Sequence, residues 1–490
     1  MAEEQKELSK QYYKVDFAKL GKLIFSDLEI RDTNNIFFKT FTKDQVISAL
    51  QNPQKNEKTL RNVSSFLYVL SPHYKRLCNY YAQMLKYNYY VEPYMLDFTQ
   101  EIDKDKFKKS YFSTLYRLDK MNLRHEFQKV VEVVVKEGIY YGSLLETQDS
   151  FFFVRLNPDY CQINSIEDGV YNFSFNFTYF SSDESLLDAY PQEFREKYEE
   201  YKNAKADKNV KRKELNNYIW REMDSKNSIC IKTDETVPYA VPMWAGTFAD
   251  IFEIADYKAL KKSNNEMQNY AILVGKVPYN TKSEVANDFA LGLDTAIEFG
   301  NKISEALPDQ LAFLLSIYED MELFKLSDDK VGTDKVEEAV NNFFNSAGVG
   351  TDLFTGAGST DAAQKRAITT DEQMCFNLLR QLERWLNRRL KFSQDSTYKF
   401  KTTFLDITHL NKEYFIANEI KAMVFGVPDK IRLCASLGMS PSSVNSMAYL
   451  ENEILELGNI FEVPLSANTT SGKDNGRPSE EETSIEGGVS

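Results

Sequence analysis

Histidine is scarce: His73, His125 and His409 are the only three in 490 residues, and they are isolated from one another. This excludes the H-E-x-x-H zinc pattern, whose two ligands must share one helix face. His125-Glu126 falls in an amphipathic pattern and reads as a surface or interface position. The five cysteines (Cys78, Cys161, Cys230, Cys375, Cys434) lie far apart. An odd, scattered set reads as reduced thiols, not as a disulfide framework or a zinc site. There is no G-x-x-x-x-G-K-[ST], because Gly472-Lys473 has the wrong context, and there is no G-x-S-x-G elbow. Gly356-Ala357-Gly358 lacks the third glycine and the preceding strand of a dinucleotide site. The acidic pairs Asp328-Asp329 and Glu337-Glu338 read as solvated faces. No catalytic residue, no metal and no cofactor is expected.

Positive charge is also short. Lys and Arg total 59 against 73 Asp and Glu, a net charge of −14. Such a chain does not coat phosphates as a general nucleic-acid binder does. No apolar run approaches the ~18 residues of a membrane span; Val133–Val135 and Leu311–Leu315 are far too short. The polar start, Met1-Ala2-Glu3-Glu4-Gln5-Lys6, has no signal-peptide apolar region, so a chain made in a cytoplasm is expected.

What is present suffices for a large core. Apolar residues make up 42% and aromatics 13%, with 34 Phe and 29 Tyr. The spacing of Phe66, Leu67, Leu70, Tyr74, Leu77 and Tyr81 predicts a helix over 60–85, interrupted at Pro72. A second helix is predicted over 106–136, stopped by Gly138. The period then changes to strands at 150–156, 160–163 and 170–179. There Tyr171, Phe173, Phe175 and Phe177 alternate with Asn172, Ser174, Asn176 and Thr178, which predicts a small antiparallel sheet with one wet face. Residues 183–216, dense in Glu, Lys, Asp and Tyr, read as a solvated helical excursion. A strand resumes at 228–232.

A helix over 244–270 leaves the apolar pattern and becomes polar. Strands at 271–278, 311–317 and 321–326 enclose a helix at 289–307, a β-α-β-β unit too small to have more than a thin core. A helix at 333–344 follows, with Thr333 or Asp334 as N-cap, then a glycine-rich stretch and a helix at 369–389 with Leu378, Leu379, Leu382 and Trp385 inward. Its terminal Arg384, Arg388, Arg389 and Lys391 read partly as macrodipole compensation. A strand at 400–407 precedes three helical segments over 412–455, punctuated by Gly426-Val427-Pro428 and Gly438-Met439-Ser440-Pro441. The polar end from Ser466 reads as disordered.

This order of parts resembles the portal proteins of tailed bacteriophages, of the type found in phages of low-GC Gram-positive bacteria. Leu156-Asn157-Pro158-Asp159-Tyr160-Cys161 is similar to a recurring wing segment. Asp256-Tyr257-Lys258-Ala259-Leu260 with Asn269-Tyr270-Ala271-Ile272-Leu273-Val274 resembles a stem-to-clip passage. Asn345-Ser346-Ala347-Gly348-Val349 through Arg384-Trp385-Leu386-Asn387-Arg388 resembles a return stem, tunnel loop and following helix. Asn475-Gly476-Arg477-Pro478 is like the polar ends of these proteins. The likeness covers about 60–460, and the order of the segments carries it.

The resemblance implies an α+β fold laid out as an N-terminal segment (1–58), wing (59–243 and 369–408), stem helix (244–270), clip (271–327), return stem (328–345), tunnel loop (346–368), helical crown (409–462) and tail (463–490). It implies a ring, usually of twelve copies, at a capsid vertex of the virion. Double-stranded DNA would pass through its channel without sequence specificity. The partners would be the terminase large subunit, scaffold and major capsid protein, and head-completion or adaptor proteins, with no membrane. The tunnel loop would carry Gly348, Gly350, Thr351, Asp352, Gly356, Gly358 and Ser359, with Lys365 and Arg366 most able to touch DNA or to pair with Asp361 or Asp352. Lys258, Lys261, Lys262, Glu337 and Glu338 would form salt bridges between stems. Lys276, Lys282, Glu284, Glu298 and Lys302 would lie on the docking clip, whose strands would pair between neighbours. A carboxylate-metal enzyme such as a nuclease would need acids grouped at strand ends, and no such grouping shows. A monomeric adaptor would bind through 183–216.

Overall fold

The structure is a computed structural model. It describes residues 41–97, 99–147, 150–268, 271–276, 311–316, 333–355, 361–393, 398–427 and 430–457, with 291, 295, 298, 299 and 302. The strand expected at 321–326, the tail from 463 and the first 40 residues lie outside the described residues.

Local chemistry sets the helix ends. Thr42 accepts the Gln45 N–H at 3.4 Å while the Gln45 side chain accepts the Thr42 N–H at 3.2 Å, a reciprocal cap on α1 (Lys43–Gln51). Val46 and Ala49 of α1 are buried, so residues 41–58 join the main core instead of forming a separate segment. The break expected at Pro72 is present: α2 (Glu57–Leu70) ends at Ser71, whose hydroxyl caps α3 (Pro72–Ala82). The single helix expected over 106–136 is instead two, α4 (Lys104–Met121) and α5 (Leu123–Glu137). Asn122 between them has φ 44°, a left-handed turn that asparagine tolerates.

Two three-stranded antiparallel sheets follow. Strands β2 (Ile139–Glu146), β3 (Phe151–Arg155) and β7 (Ser228–Lys232) pair with β2 central. Strands β4 (Cys161–Glu167), β5 (Val170–Asn176) and β6 (Trp220–Glu222) pair with β5 central. A further antiparallel pair joins β1 (Tyr89–Tyr94) to β10 (Lys399–Phe404). The face of β5 expected to be wet is not: Asn172 and Ser174 are buried along with Phe173 and Phe175. Arg388 covers that face, donating to the Asn172 Oδ1 at 3.0 Å and pairing with Glu167.

The excursion at 183–216 also departs from the solvated reading. Its helices α6 (Gln192–Ala206) and α7 (Arg212–Ile219) follow a short 3-10 turn, and Phe194, Tyr198 and Tyr201 of α6 are buried. Their i, i+4, i+7 spacing forms an apolar stripe inside a charged sequence. It packs on an aromatic cluster with Phe175, Phe177 and Phe180.

The chain then leaves through α8 (Phe248–Gln268) and returns through α9 (Thr333–Ser346), which pack against each other. Between them β8 (Ala271–Lys276) pairs in parallel with β9 (Leu311–Ser316) within the chain. Thr295, Glu298, Phe299 and Lys302 of the expected intervening helix are helical. Parallel pairing needs such a crossover. After a five-residue helix, α10 (Thr351–Thr355), comes α11 (Asp361–Ser393), 33 residues long. The C-terminal part is α12 (Lys412–Val424), α13 (Lys430–Leu437) and α14 (Pro441–Tyr449), with a π turn at Leu450–Ile454. Gly426 and Gly438, both at positive φ, separate them. The fold is thus mixed α+β, with small sheets held among helices.

Helix α11 holds the antiparallel sheets and the helices around them together. Leu378, Leu379, Leu382 and Trp385 point inward as the periodicity predicts. Trp385 sits against Phe127 and Phe153, and its indole N–H donates to the Ser228 carbonyl at 2.8 Å. The basic residues at its end do more than offset a helix dipole. Arg384 pairs with Glu235 at 2.5 Å, Lys391 with Asp168 at 3.1 Å, and Arg389 with Glu146. Glu146 also meets Lys120 at 2.5 Å. Burial alone would raise the Glu146 carboxyl, but Lys120 and Arg389 outweigh it and hold it below the ordinary range.

Three outcomes test this packing. Trp385→Ala should cost about 3–5 kcal/mol, read as a lower denaturant midpoint. Gly138 has φ 84°, and a Cβ there would stand 2.0 Å from the Val241 carbonyl oxygen. Gly138→Ala should therefore lower the melting temperature more than Gly348→Ala, where no atom lies within 4 Å. Since the Glu146 carboxyl is depressed in the fold, its stabilisation is complete above the unfolded carboxyl pKa of about 4.3 and is lost as pH falls through the lower folded value. Melting curves from neutral to acid pH should then show a shallower acid loss in Glu146→Gln than in the wild type.

Candidate functional site

The glycine-rich stretch between α9 and α11 is more ordered than a free loop. At the end of α9, Val349 N–H bonds the Phe344 carbonyl at 3.2 Å and Gly348 N–H bonds the Asn345 carbonyl at 2.9 Å. Gly348 has φ 70° and acts as the helix stop that glycine supplies. Gly350 serves a close approach: a Cβ there would lie 3.0 Å from the Ala367 Cβ on α11. Both glycines meet geometric demands, whereas the sequence reading assigned them freedom. Thr351 opens α10, and Asp352 follows within it. Residues 361–368, expected as loop, are the first turns of α11. Asp361-Ala362-Ala363-Gln364-Lys365-Arg366-Ala367 consists largely of helix formers, which explains the difference. Gly356, Gly358 and Ser359 lie outside the described residues, as do the side chains of Asp352 and Asp361.

Helix α10 is tied down by one side chain each way. Phe354 is buried and stacks on Phe344, with centroids 4.5 Å apart at 16°, and it meets Tyr80 edge-on at 5.2 Å. Arg76, on the outer face of α3, donates to the carbonyls of Phe354 at 2.9 Å and Leu353 at 3.2 Å and lies over the Phe354 ring at 5.3 Å. The Tyr80 hydroxyl in turn donates to Asp371 of α11 at 3.2 Å. Burial raises the Asp371 carboxyl, and the Tyr81 and Tyr80 hydroxyls oppose that rise. Arg76 and Phe354 had no signal in the sequence reading. The only available cue was an aromatic residue inside an otherwise small-residue stretch.

Beyond this clamp, α11 presents Lys365, Arg366, Thr369, Thr370 and Gln373 to solvent as one polar stripe with two cations. The threonine hydroxyls donate back to the Lys365 carbonyl at 2.8 Å and the Arg366 carbonyl at 3.1 Å. On the hairpin, Lys258 and Lys262 of α8 and Glu337 and Glu338 of α9 are exposed, and Lys261 is half-buried. Its base is buried through Phe248, Ile251, Ile254, Ala339 and Phe343, while Leu260 farther out is exposed. Lys276 ends β8. Glu298 and Lys302 pair with each other at 3.1 Å on an exposed helical turn. Lys282 and Glu284 lie outside the described residues.

The C-terminal helices expose what other helices bury. No residue of α12 is buried, and Tyr414, Val424 and Phe425 are 74%, 79% and 88% exposed. A small cluster of Leu405, Ile407 and Ala435, with Tyr90 of β1 packed against it, attaches this layer to the rest of the fold.

Among the described residues, no three His, Cys, Asp or Glu side chains group to hold a metal ion. No helix among them is long and apolar enough to cross a membrane. The thiols of Cys78, Cys230 and Cys375 are buried, and burial pushes that of Cys78 up to about 12. Compared with known proteins, the chain matches no protein-family model, and no curated protein matches it in sequence.

The clamp makes a specific prediction. Arg76→Ala removes a charged hydrogen bond of about 1.5 kcal/mol or more and should speed amide hydrogen exchange over 347–355 by roughly tenfold. Phe354→Ala should do the same, with exchange in α5 unchanged.

Proposed function

We propose that this chain is a portal subunit: a structural protein that forms a ring at a capsid vertex of a virion, through which double-stranded DNA enters during packaging and leaves on ejection. The observation that carries this reading is the α8–α9 hairpin. It is rooted in the wing core at one end and carries the parallel β8–β9 unit at the other. At about 1.5 Å per residue, the part of α8 from Ile254, its last buried residue among those described, to Gln268 spans about 21 Å. A two-stranded unit set that far from the main core has little to pack on in a single chain, and neighbouring copies would supply the missing surface. The exposed apolar crown supports the same reading, because a face this apolar calls for cover.

In this arrangement the β8–β9 unit is the clip, where the terminase large subunit and later the head-completion or adaptor proteins dock, and the wing and crown face scaffold and major capsid protein. The stripe of Lys365, Arg366, Thr369 and Thr370 beside the clamped α10 faces the channel. Two cations among hydroxyls suit a wall along which a duplex slides, since strong phosphate neutralisation would act as a brake. The chain does no covalent chemistry in this role. The energy for DNA movement comes from the separate terminase ATPase.

The test is negative-stain imaging of the purified chain with native mass measurement. Rings with a central hole, about twelve copies each, are the expected result. A sharp monomer near 57 kDa at every concentration, and also with scaffold added, would remove the proposal.

A further inference from the structure

The C-terminal layer has two unlike surfaces. Helix α12 packs on α13, α13 packs on α14 and on β1, and α14 packs on α4. The order is therefore a row from α12 through α13 and α14 to α4, with the π turn continuing α14 at the end remote in sequence from its junction with α4. Glu419 of α12 pairs with Arg432 of α13 at 3.0 Å, and Ser442 at the start of α14 donates to Asp119 of α4 at 2.7 Å, which fixes both junctions.

Both surfaces are apolar, and their charges differ. At the α12 end Ile420, Val424, Phe425, Val427 and Ile431 are exposed. Ile420 and Val424 are four apart on one face of α12, and Phe425 and Val427 follow at its end, with Ile431 in the first turn of α13. Lys421 and Lys430 flank these residues, both exposed. At the α14 end Met447, Tyr449, Leu450, Ile454 and Leu455 are exposed, flanked by exposed Glu451 and Glu453.

We infer that the α12 end of one copy docks on the α14 end of the next, with Lys421 and Lys430 facing Glu451 and Glu453 across an apolar centre. This rests on the ring reading above and names the surfaces that would close the ring. Three features favour a second copy as the occupant. The two patches are complementary in charge and alike in apolar character. They lie on different helices of one row, two unlike surfaces as a head-to-tail contact uses; a two-fold contact would use one patch twice. Among the described residues both patches are exposed, α12 burying none of its residues.

The test uses the full chain. Lys421→Glu with Lys430→Glu should raise the concentration for half-assembly roughly tenfold or more, since like charges would then face each other across the contact. Glu451→Lys with Glu453→Lys should do the same. The four changes together should restore assembly to within a few-fold of the wild type, with circular dichroism unchanged throughout. A photo-crosslinking residue at Phe425 should join chains at 447–455. Rings that tolerate both double reversals, failure of the fourfold variant to recover, or crosslinks running from Phe425 to another chain's α12 would each overturn the pairing while leaving the ring itself intact. A wild-type chain that never assembles would overturn both.

Discussion

The structure depends on side-chain amides of α11 that bond to strand backbone. Gln381 accepts the Lys232 N–H at 3.1 Å and donates to the Lys232 carbonyl at 2.7 Å. Asn387 treats Thr402 in the same way, with both bonds at 2.8 Å. Lys232 ends the edge strand β7, and Thr402 lies in β10 of a two-stranded pair, so each amide stands in for a missing neighbouring strand. Unpaired edges invite the wrong partner, and covering them with a helix is one remedy. Because the same helix also buries Trp385 and pairs its basic residues with Glu146, Glu167 and Asp168, both kinds of sheet and the cores beneath them share one support.

From that support the chain is organised by distance. Close to α11 lie the dense aromatic clusters. One step out, α10 is fastened by Arg76 and Phe354, and its carbonyls are bonded by an arginine that is itself exposed. Farther out, the α8–α9 hairpin and the C-terminal helices expose apolar side chains that the inner elements would bury. Among the described residues the gradient runs from surfaces completed within one chain to surfaces left open, as the proposed ring would require.

Much of the helix punctuation was legible from the amino-acid sequence, because it rests on local chemistry. Pro72 at a helix start, Gly138 at a helix end, and Gly426 and Gly438 between the last helices each act within a few residues. The inward face of α11 was legible from its period. What escaped was set by contacts distant in sequence. Asn172 and Ser174 look like a wet face until Arg388, over 200 residues away, covers them. The aromatic residues of α6 look solvated until Phe175 of β5 receives Phe194 and Phe180 receives Tyr198. β1 was missed because Pro93 and its run of tyrosines give no clean alternation, and its pairing with β10 is formed across 300 residues. At the candidate site, Lys365 and Arg366 were named and are exposed, but the clamp that fixes their neighbourhood, Arg76 on Phe354, pairs residues that no spacing rule connects.

The amide contacts from α11 have a consequence for how this protein can vary. Gln381 bonds to the main chain of Lys232, which every residue type except proline presents alike, whereas Asn387 bonds to the main chain of Thr402 and also accepts its hydroxyl at 3.0 Å. At Lys232 the strand is therefore free to change its side chain where volume and polarity suit the surroundings, while at Thr402 only a residue that keeps the hydroxyl keeps the third bond. Neither strand is free to change length. One residue gained or lost within β7 or β10 would turn every following side chain to the opposite face and carry the bonded peptide group out of reach. The helix thus measures strand register more strictly than composition, and drift in this region should be tolerated as substitution more readily than as insertion.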